Sequence, residues 1–216
     1  MKTCVKQIYD DFFVRYPALT GLNQQIIDSF ESLYTCYKNG GKVLACGNGG
    51  SASDAEHLVG ELMKKFGTHR PVPSSFISKV NSLKIENAQH ILDNLESAFP
   101  AISLISQTAL ITAIANDTAA DMIYGQQVFA YGKPGDILIV FSTSGKSPNI
   151  INAVNVARAR EMTVIGFTGE SGGYLNDICS VLFRVPANMN YTVQEYHLPL
   201  YHLLCLMVEK EIFEKE

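Results

Sequence analysis

Twice along this chain a short, uninterrupted apolar run ends in a loop of glycine and hydroxyl residues and passes into a helical pattern. The first is Lys42–Cys46, the loop Gly47-Asn48-Gly49-Gly50-Ser51 and a helix from about Asp54 to Phe66. The second is Asp136–Ser142, the loop Ser142-Thr143-Ser144-Gly145-Lys146-Ser147 and a helix to about Arg160, with Ser147 as N-cap and Pro148 at the first helical position. A strand without polar alternation needs cover on both faces, and crossover helices supply it. The repeat therefore restricts the chain to an α/β fold with a mainly parallel sheet. Pro100–Leu104, Thr163–Thr168 and Val181–Val185 read as further strands, and Ala109–Ala115, Gln127–Tyr131 and Gly172–Ile178 as helical segments between them. The expectation is one domain over 1–216, a three-layer αβα sandwich with helical extensions at both termini.

Those extensions are residues 1–40 and 193–214. The first carries Val5, Ile8, Phe12 and Phe13, then Leu22, Ile26, Ile27, Phe30, Leu33 and Tyr34 at helical spacing, with a break near Tyr16-Pro17 and an end at Asn39-Gly40-Gly41. The chain is 47% hydrophobic but only 18% charged, where an ordinary soluble domain has about a quarter charged residues. So thin a polar coat predicts that the terminal helices, 1–38 and 193–214, face other subunits. Gly67–Phe99 does not fit the alternation. It is Ser- and Lys-rich (PVPSSFISKVNSLK), then helical over Asn87–Phe99, and reads as an insertion.

A net charge of −4 and the lack of any Lys/Arg block exclude nucleic acid as a partner. A small anion is still open to it, because amides and helix N-termini can hold one without net positive charge. The five cysteines are odd in number and never spaced C-x-x-C, which predicts reduced, mostly buried thiols. MKTCVKQIYDDFFV holds no apolar stretch of the signal-peptide kind. The longest apolar run, Leu198–Val208, falls short of the roughly 18 residues of a membrane span. A cytoplasmic protein with no membrane partner is expected.

The first loop lacks the third glycine of G-x-G-x-x-G and the G-K-[ST] of a P-loop, so dinucleotides and nucleoside triphosphates are disfavoured. Two hydroxyl-rich loops at the C-terminal ends of parallel strands instead predict one phosphate-binding crevice, with Thr168–Gly173 along the same edge. His57 and Glu61, four apart, project from one helix face. A surface pair and a catalytic or metal-binding pair both fit that spacing. On the last helix Gln194, Glu195, His197 and His202 stand among leucines, and either histidine taken alone reads as a core group.

The stretches CGNGGSASDAEHLVGEL, AIAND, GDILIVFSTSGKSPNI, IGFTGESGG and VQEYHLPLYH together resemble the sugar isomerase (SIS) domain family, and within it the phosphoheptose isomerase branch. The resemblance covers nearly all of the chain except Gly67–Phe99. It implies a homotetramer with active sites between subunits that interconverts sedoheptulose 7-phosphate and D-glycero-D-manno-heptose 7-phosphate for lipopolysaccharide, capsule or other glycans. It also implies that Ser51, Ser142, Thr143, Ser144 and Ser147 surround the phosphate, while Asn48, Gly49, Gly50, Asn116 and Asp117 contact the sugar or shape the pocket. Glu61 and His202 match the family's acid/base pair. His57, Glu61, Gln194 and His202 match the ligands of a zinc ion found in some members, one per subunit, and the substrate-binding set then includes His57, Glu61 and Gln194.

That chemistry suits those residue types. Aldose–ketose interconversion moves a proton between adjacent carbons through an enediol, so one group takes the proton and another serves the neighbouring oxygen. One difficulty is visible in the spacing. Gln194 and His202 are eight apart, about 12 Å of helical rise, with Pro199 as a kink between them, too far for comfortable ligation of one ion: either Gln194 lies in a frayed first turn with its side chain folded inward, or the two serve different sites across a subunit interface. Among the alternatives, SIS isomerases of the arabinose 5-phosphate type carry a G-x-G-K-S-like first loop, which GNGGS is not. The non-catalytic SIS relative tied to replication initiation lacks the Glu and final His of the acid/base pair, both present here. A regulatory sugar-phosphate sensor is the third alternative. This chain also departs from the branch at Thr192-Val193, where an Arg-Ile pair is usual, and at Lys64-Lys65, where Gly-Arg is.

Overall fold

The computed structural model describes residues 1–214. Five parallel strands, β1 (Val43–Gly47), β2 (Ala101–Ser103), β3 (Ile137–Phe141), β4 (Thr163–Thr168) and β5 (Val181–Arg184), form one sheet in the order β2-β1-β3-β4-β5. The strands alternate their side chains between two apolar layers. Val43, Ala45, Ile137, Ile139 and Phe141 enter one, and Leu44, Cys46, Leu138 and Val140 the other. The first layer is closed by α1 (Thr3–Arg15), α2 (Asn23–Lys38), α3 (Gly50–Met63) and α9 (Asn190–Phe213). The second is closed by α7 (Gly125–Tyr131) and α8 (Pro148–Ala159). The αβα sandwich expected from the sequence is therefore the fold.

Chain order reverses between β1 and β3, and this is where an open parallel sheet leaves a crevice at its C-terminal edge. The two loops picked out in the sequence are those that follow these two strands.

Three local expectations need correcting. The helix after the first loop starts at Gly50, four residues before Asp54, and ends at Met63. The reason is Gly49, whose φ of +59° turns the strand directly into the helix, a conformation that favours glycine. The 67–99 segment holds two helices, α4 (Ser74–Ser82) and α5 (Ala88–Asn94), in place of one over Asn87–Phe99. Leu95 is extended, and Phe99 leaves the helical register to stack on Tyr37 at 4.6 Å in the main core. The loop is closed at its base, where Ser97 donates from its amide to the Arg70 carbonyl (3.0 Å) and from its hydroxyl to the Pro71 carbonyl (2.6 Å). Finally, α6 runs from Thr108 to Asp117, and α9 starts at Asn190 and passes through Pro199 as one element. Among the described residues no helix is long and apolar enough to cross a membrane.

Candidate active site

Gly47 and Phe141 are register partners at the ends of β1 and β3, so their loops meet. The amides of Asn48 and Asn149 bond each other reciprocally at 2.9 and 2.8 Å, and the Tyr124 hydroxyl donates to the Gly47 carbonyl at 2.6 Å. Between the loops lies a cavity of about 250 Å³ lined by Asn48, Gly50, Ser51, Ser142, Thr143, Ser147, Asn190 and Gln194, with Phe141 at its floor. Ser142 and Ser147 place their oxygens 3.4 Å apart, and Thr143 donates to Asn190 at 3.2 Å. The Gln194 amide packs against the Cα of Gly50 so closely that a Cβ there would stand 2.6 Å from it. Among the described residues no charged side chain lines the cavity. An anion in it would be held by hydroxyls, amides and the N-terminal ends of α3 and α8.

Seven of the expected residues thus come together: Asn48, Gly50, Ser51, Ser142, Thr143, Ser147 and Gln194. Gly49 shapes the turn without lining the cavity. Ser144 is exposed and its hydroxyl accepts from the Lys146 amide, so it braces the loop. Asn116 and Asp117 lie exposed at the end of α6, bonded to each other at 2.7 Å and away from the cavity. Asn149 and Asn190 belong to the crevice and were not foreseen. A polar residue in the first turn of a helix that follows a hydroxyl loop is the signal that could have found Asn149.

The ionisable cluster sits toward the other end of α3. His57 Nε2 is 3.2 Å from Glu61 Oε1, and Lys64 donates to Glu61 Oε2 at 3.1 Å. From α9, the Tyr201 hydroxyl approaches His57 Nδ1 at 3.0 Å, and the His202 ring lies edge-on to that of His57 with centroids 4.9 Å apart. Burial holds the His202 imidazole below its ordinary value, helped by His57 and opposed by Glu61. Burial likewise pushes the Asp54 carboxyl up to about 6, against the lowering effects of Tyr201 and His57. His202 also faces a second cavity, about 310 Å³, shared with Ile8, Asp11, Phe12, Arg15 and Phe66. Its neighbour His197 is a core residue, fully buried between the rings of Phe141 and Phe167 and pushed down to about 4 by desolvation.

Behind Glu61 lies a group that the sequence hides. Arg70, fully buried, donates to the carbonyls of Leu62 (2.5 Å) and Glu61 (2.9 Å), which the end of α3 leaves without helical partners. Its charge is met by Glu209 of α9, equally buried, at 2.7 Å. Glu209 also takes the backbone N–H groups of Phe66, Gly67 and Thr68.

The SIS domain family model matches residues 17–103 and 96–169. The chain belongs to the SIS family. This SIS protein is 38% identical over 202 residues to a phosphoheptose isomerase of Shewanella baltica, covering 92% of this chain and 89% of that one. To a phosphoheptose isomerase of Burkholderia pseudomallei it is 41% identical over 177 residues, covering 82% and 77%. Its fold is similar to the solved phosphoheptose isomerase from Francisella tularensis (TM-score 0.74, 31% identity, covering 97% and 100%). It is similar also to that from Neisseria gonorrhoeae (TM-score 0.73, 32% identity, covering 91% of each).

The zinc expectation can be set against these donors. His57, Glu61 and His202 lie together, but Gln194 packs on Gly50 in the crevice. Among the described residues, no three His, Cys, Asp or Glu side chains are placed to hold a metal ion. As arranged within one chain, the four expected ligands do not fit one zinc ion.

Proposed function

We propose that this SIS protein is an aldose–ketose isomerase of a seven-carbon sugar phosphate, converting sedoheptulose 7-phosphate to D-glycero-D-manno-heptose 7-phosphate. The observation that carries the reading is the grouping of Glu61, His57 and His202 on facing α3 and α9. It occurs in a chain 38–41% identical to proteins named phosphoheptose isomerase. Ser51, Ser142, Thr143 and Ser147 take the phosphate. Glu61 accepts the proton from the carbon beside the carbonyl, and His202 serves the neighbouring oxygen as the enediol forms. Glu61 then returns the proton to the adjacent carbon. Asn48 and Gln194 hold sugar hydroxyls.

From Ser51 to Glu61 the helix rises about 15 Å, so the crevice and the Glu61–His202 pair lie toward opposite ends of α3. A site that takes its crevice from one copy and its Glu61–His202 pair from another would bring the two sets together in the proposed homotetramer. The exposure of α6, despite Leu110 and Ile111, supports such a contact and would carry Asn116 and Asp117 to a neighbour's site. The five unpaired cysteines support a cytoplasmic place.

Purified protein offered C5, C6 and C7 ketose phosphates is expected to turn over the C7 compound fastest. Equal or faster turnover of a shorter sugar would overturn the substrate assignment. Glu61 and His202 carry these steps as protein groups alone, and zinc is a separate proposal, with Gln194 supplied by another copy. Loss of turnover on chelation, restored by zinc, is the result that would support it.

A further inference from the structure

Strand pairing brings the ends of β1 and β3 together, and two asparagines 101 positions apart meet across them. Asn48 directly follows β1 and lines the cavity, whereas Asn149, in the first turn of α8, is not among the described residues that line it. Asn48 Nδ2 donates to Asn149 Oδ1 at 2.9 Å, and Asn149 Nδ2 donates to Asn48 Oδ1 at 2.8 Å. Such a ring fixes both amides at once, because turning either one alone sets N–H against N–H and oxygen against oxygen.

The backbone on either side is fixed as well. Tyr124 donates to the Gly47 carbonyl at 2.6 Å, the Asn48 carbonyl takes the Ser51 amide at 3.1 Å, and Pro148 sets the chain just ahead of Asn149. What is left free at Asn48 is its two side-chain torsions, and the residue is exposed, so packing does not hold them. The Asn149 amide does. Ordering a side chain on binding costs about two- to tenfold in affinity, and here the fold has ordered it in advance. The ring uses one N–H and one lone pair of Asn48, which leaves its second N–H for a ligand. Asn48 shares a cavity of about 250 Å³ with Ser51, Ser142 and Ser147, so a hydroxyl that it meets is one close to the phosphate.

We propose that Asn149 is a positioning residue for substrate binding: paired edge to edge with Asn48, it holds that amide so that the second N–H meets the hydroxyl on the carbon next to the phosphate-bearing one. The proposal rests on the sugar-phosphate reading above and adds a residue to it. Asn149 does not touch the substrate. It acts through Asn48, as an outer partner that orients an inner one.

The test titrates the full-length protein with sn-glycerol 3-phosphate, which carries that hydroxyl, and with 3-hydroxypropyl phosphate, which lacks only that one. The parent is expected to bind the glycerol ester about tenfold more tightly, the scale of one hydrogen bond. Asn149→Ala should remove most of the preference, weakening the glycerol ester about five- to tenfold and the propyl ester less than about twofold. A latch that only held the loops together would weaken both alike, so equal losses overturn the proposal. In an Asn48→Ala background the same substitution should change the glycerol ester's affinity less than about twofold, and a full loss there overturns it too. With sedoheptulose 7-phosphate, Asn149→Ala should raise KM about tenfold and leave kcat within about twofold, whereas an unchanged KM counts against the role. Asn149→Leu, of similar volume and without the amide, is read beside it, so that one variant decides if the other fails to fold. A parent with no preference between the two esters overturns the proposal with no variant at all. If the parent shows the preference but isomerises no C7 sugar, the isomerase reading falls and the role of Asn149 stands.

Discussion

The two ends of α3 are handled in opposite ways. At Gly50 the helix opens onto a crevice of hydroxyls and amides with no cation among the described residues that line it, so its partial positive charge is left for a ligand. At Met63 the last carbonyls are taken by a buried guanidinium, and Glu209 neutralises that guanidinium in turn. One end of the dipole is thus kept for an incoming anion and the other is satisfied internally. Glu61 is the residue that gains: its own carbonyl is pinned 2.9 Å from Arg70, so the stem of the proposed base is fixed while its carboxylate works.

The contrast can be tested end by end. Glu61→Gln removes a proton-transfer group and is expected to cut kcat by about 10²–10⁴ with little change in KM. A comparable rise in KM would place Glu61 in binding. Next in size, Arg70→Met leaves Glu209 buried without its partner and should cost about 3–5 kcal/mol of stability, read from the denaturant midpoint. A loss below about 1 kcal/mol would show that the Arg70–Glu209 pair does not hold this end of α3. The third test concerns α9, which floors both ends. His197 has a folded value near 4, below its ordinary 6.5. The unfolded chain therefore takes up the proton first as pH falls. Stability is full above about 6.5 and is lost toward pH 4, by about 3 kcal/mol. His197→Phe should flatten that slope, and an unaltered slope would assign it to other groups. Smallest, Ser142→Ala at the crevice end should raise KM about tenfold, as one hydrogen bond to a charged group, and leave kcat nearly untouched. A fall in kcat instead would erase the division between the two ends.

The strands, the three layers and the phosphate loops were legible because each is a local pattern: an apolar run, a hydroxyl loop, a helix. Single polar residues whose meaning lies far along the chain were not. Arg70 in a Pro- and Ser-rich stretch looks like any solvated arginine until Glu209, 139 positions away, is brought against it. Tyr201 reads as one more large residue of an apolar helix, since nothing local says its hydroxyl will meet α3. The helix α4 was hidden because Ser and Lys dilute Phe76, Ile77 and Val80. The early start of α3 went unseen because its first turn, Gly50-Ser51-Ala52-Ser53, is written in residues of loops.

The closed base of the 67–99 loop bears on how such a protein could be rebuilt. Arg70 is held by α3 and α9, and Ser97 is bonded back to Arg70 and Pro71. The natural seam therefore runs through positions 71 and 97, four residues inside the Gly67 end and two inside the Phe99 end of the segment that the sequence suggests. Residues 72–96 form a cassette whose two ends already meet, so a tight turn could replace them and leave the helix end behind Glu61 intact. A deletion that began at Gly67 would take Arg70 with it and strand Glu209 in the core.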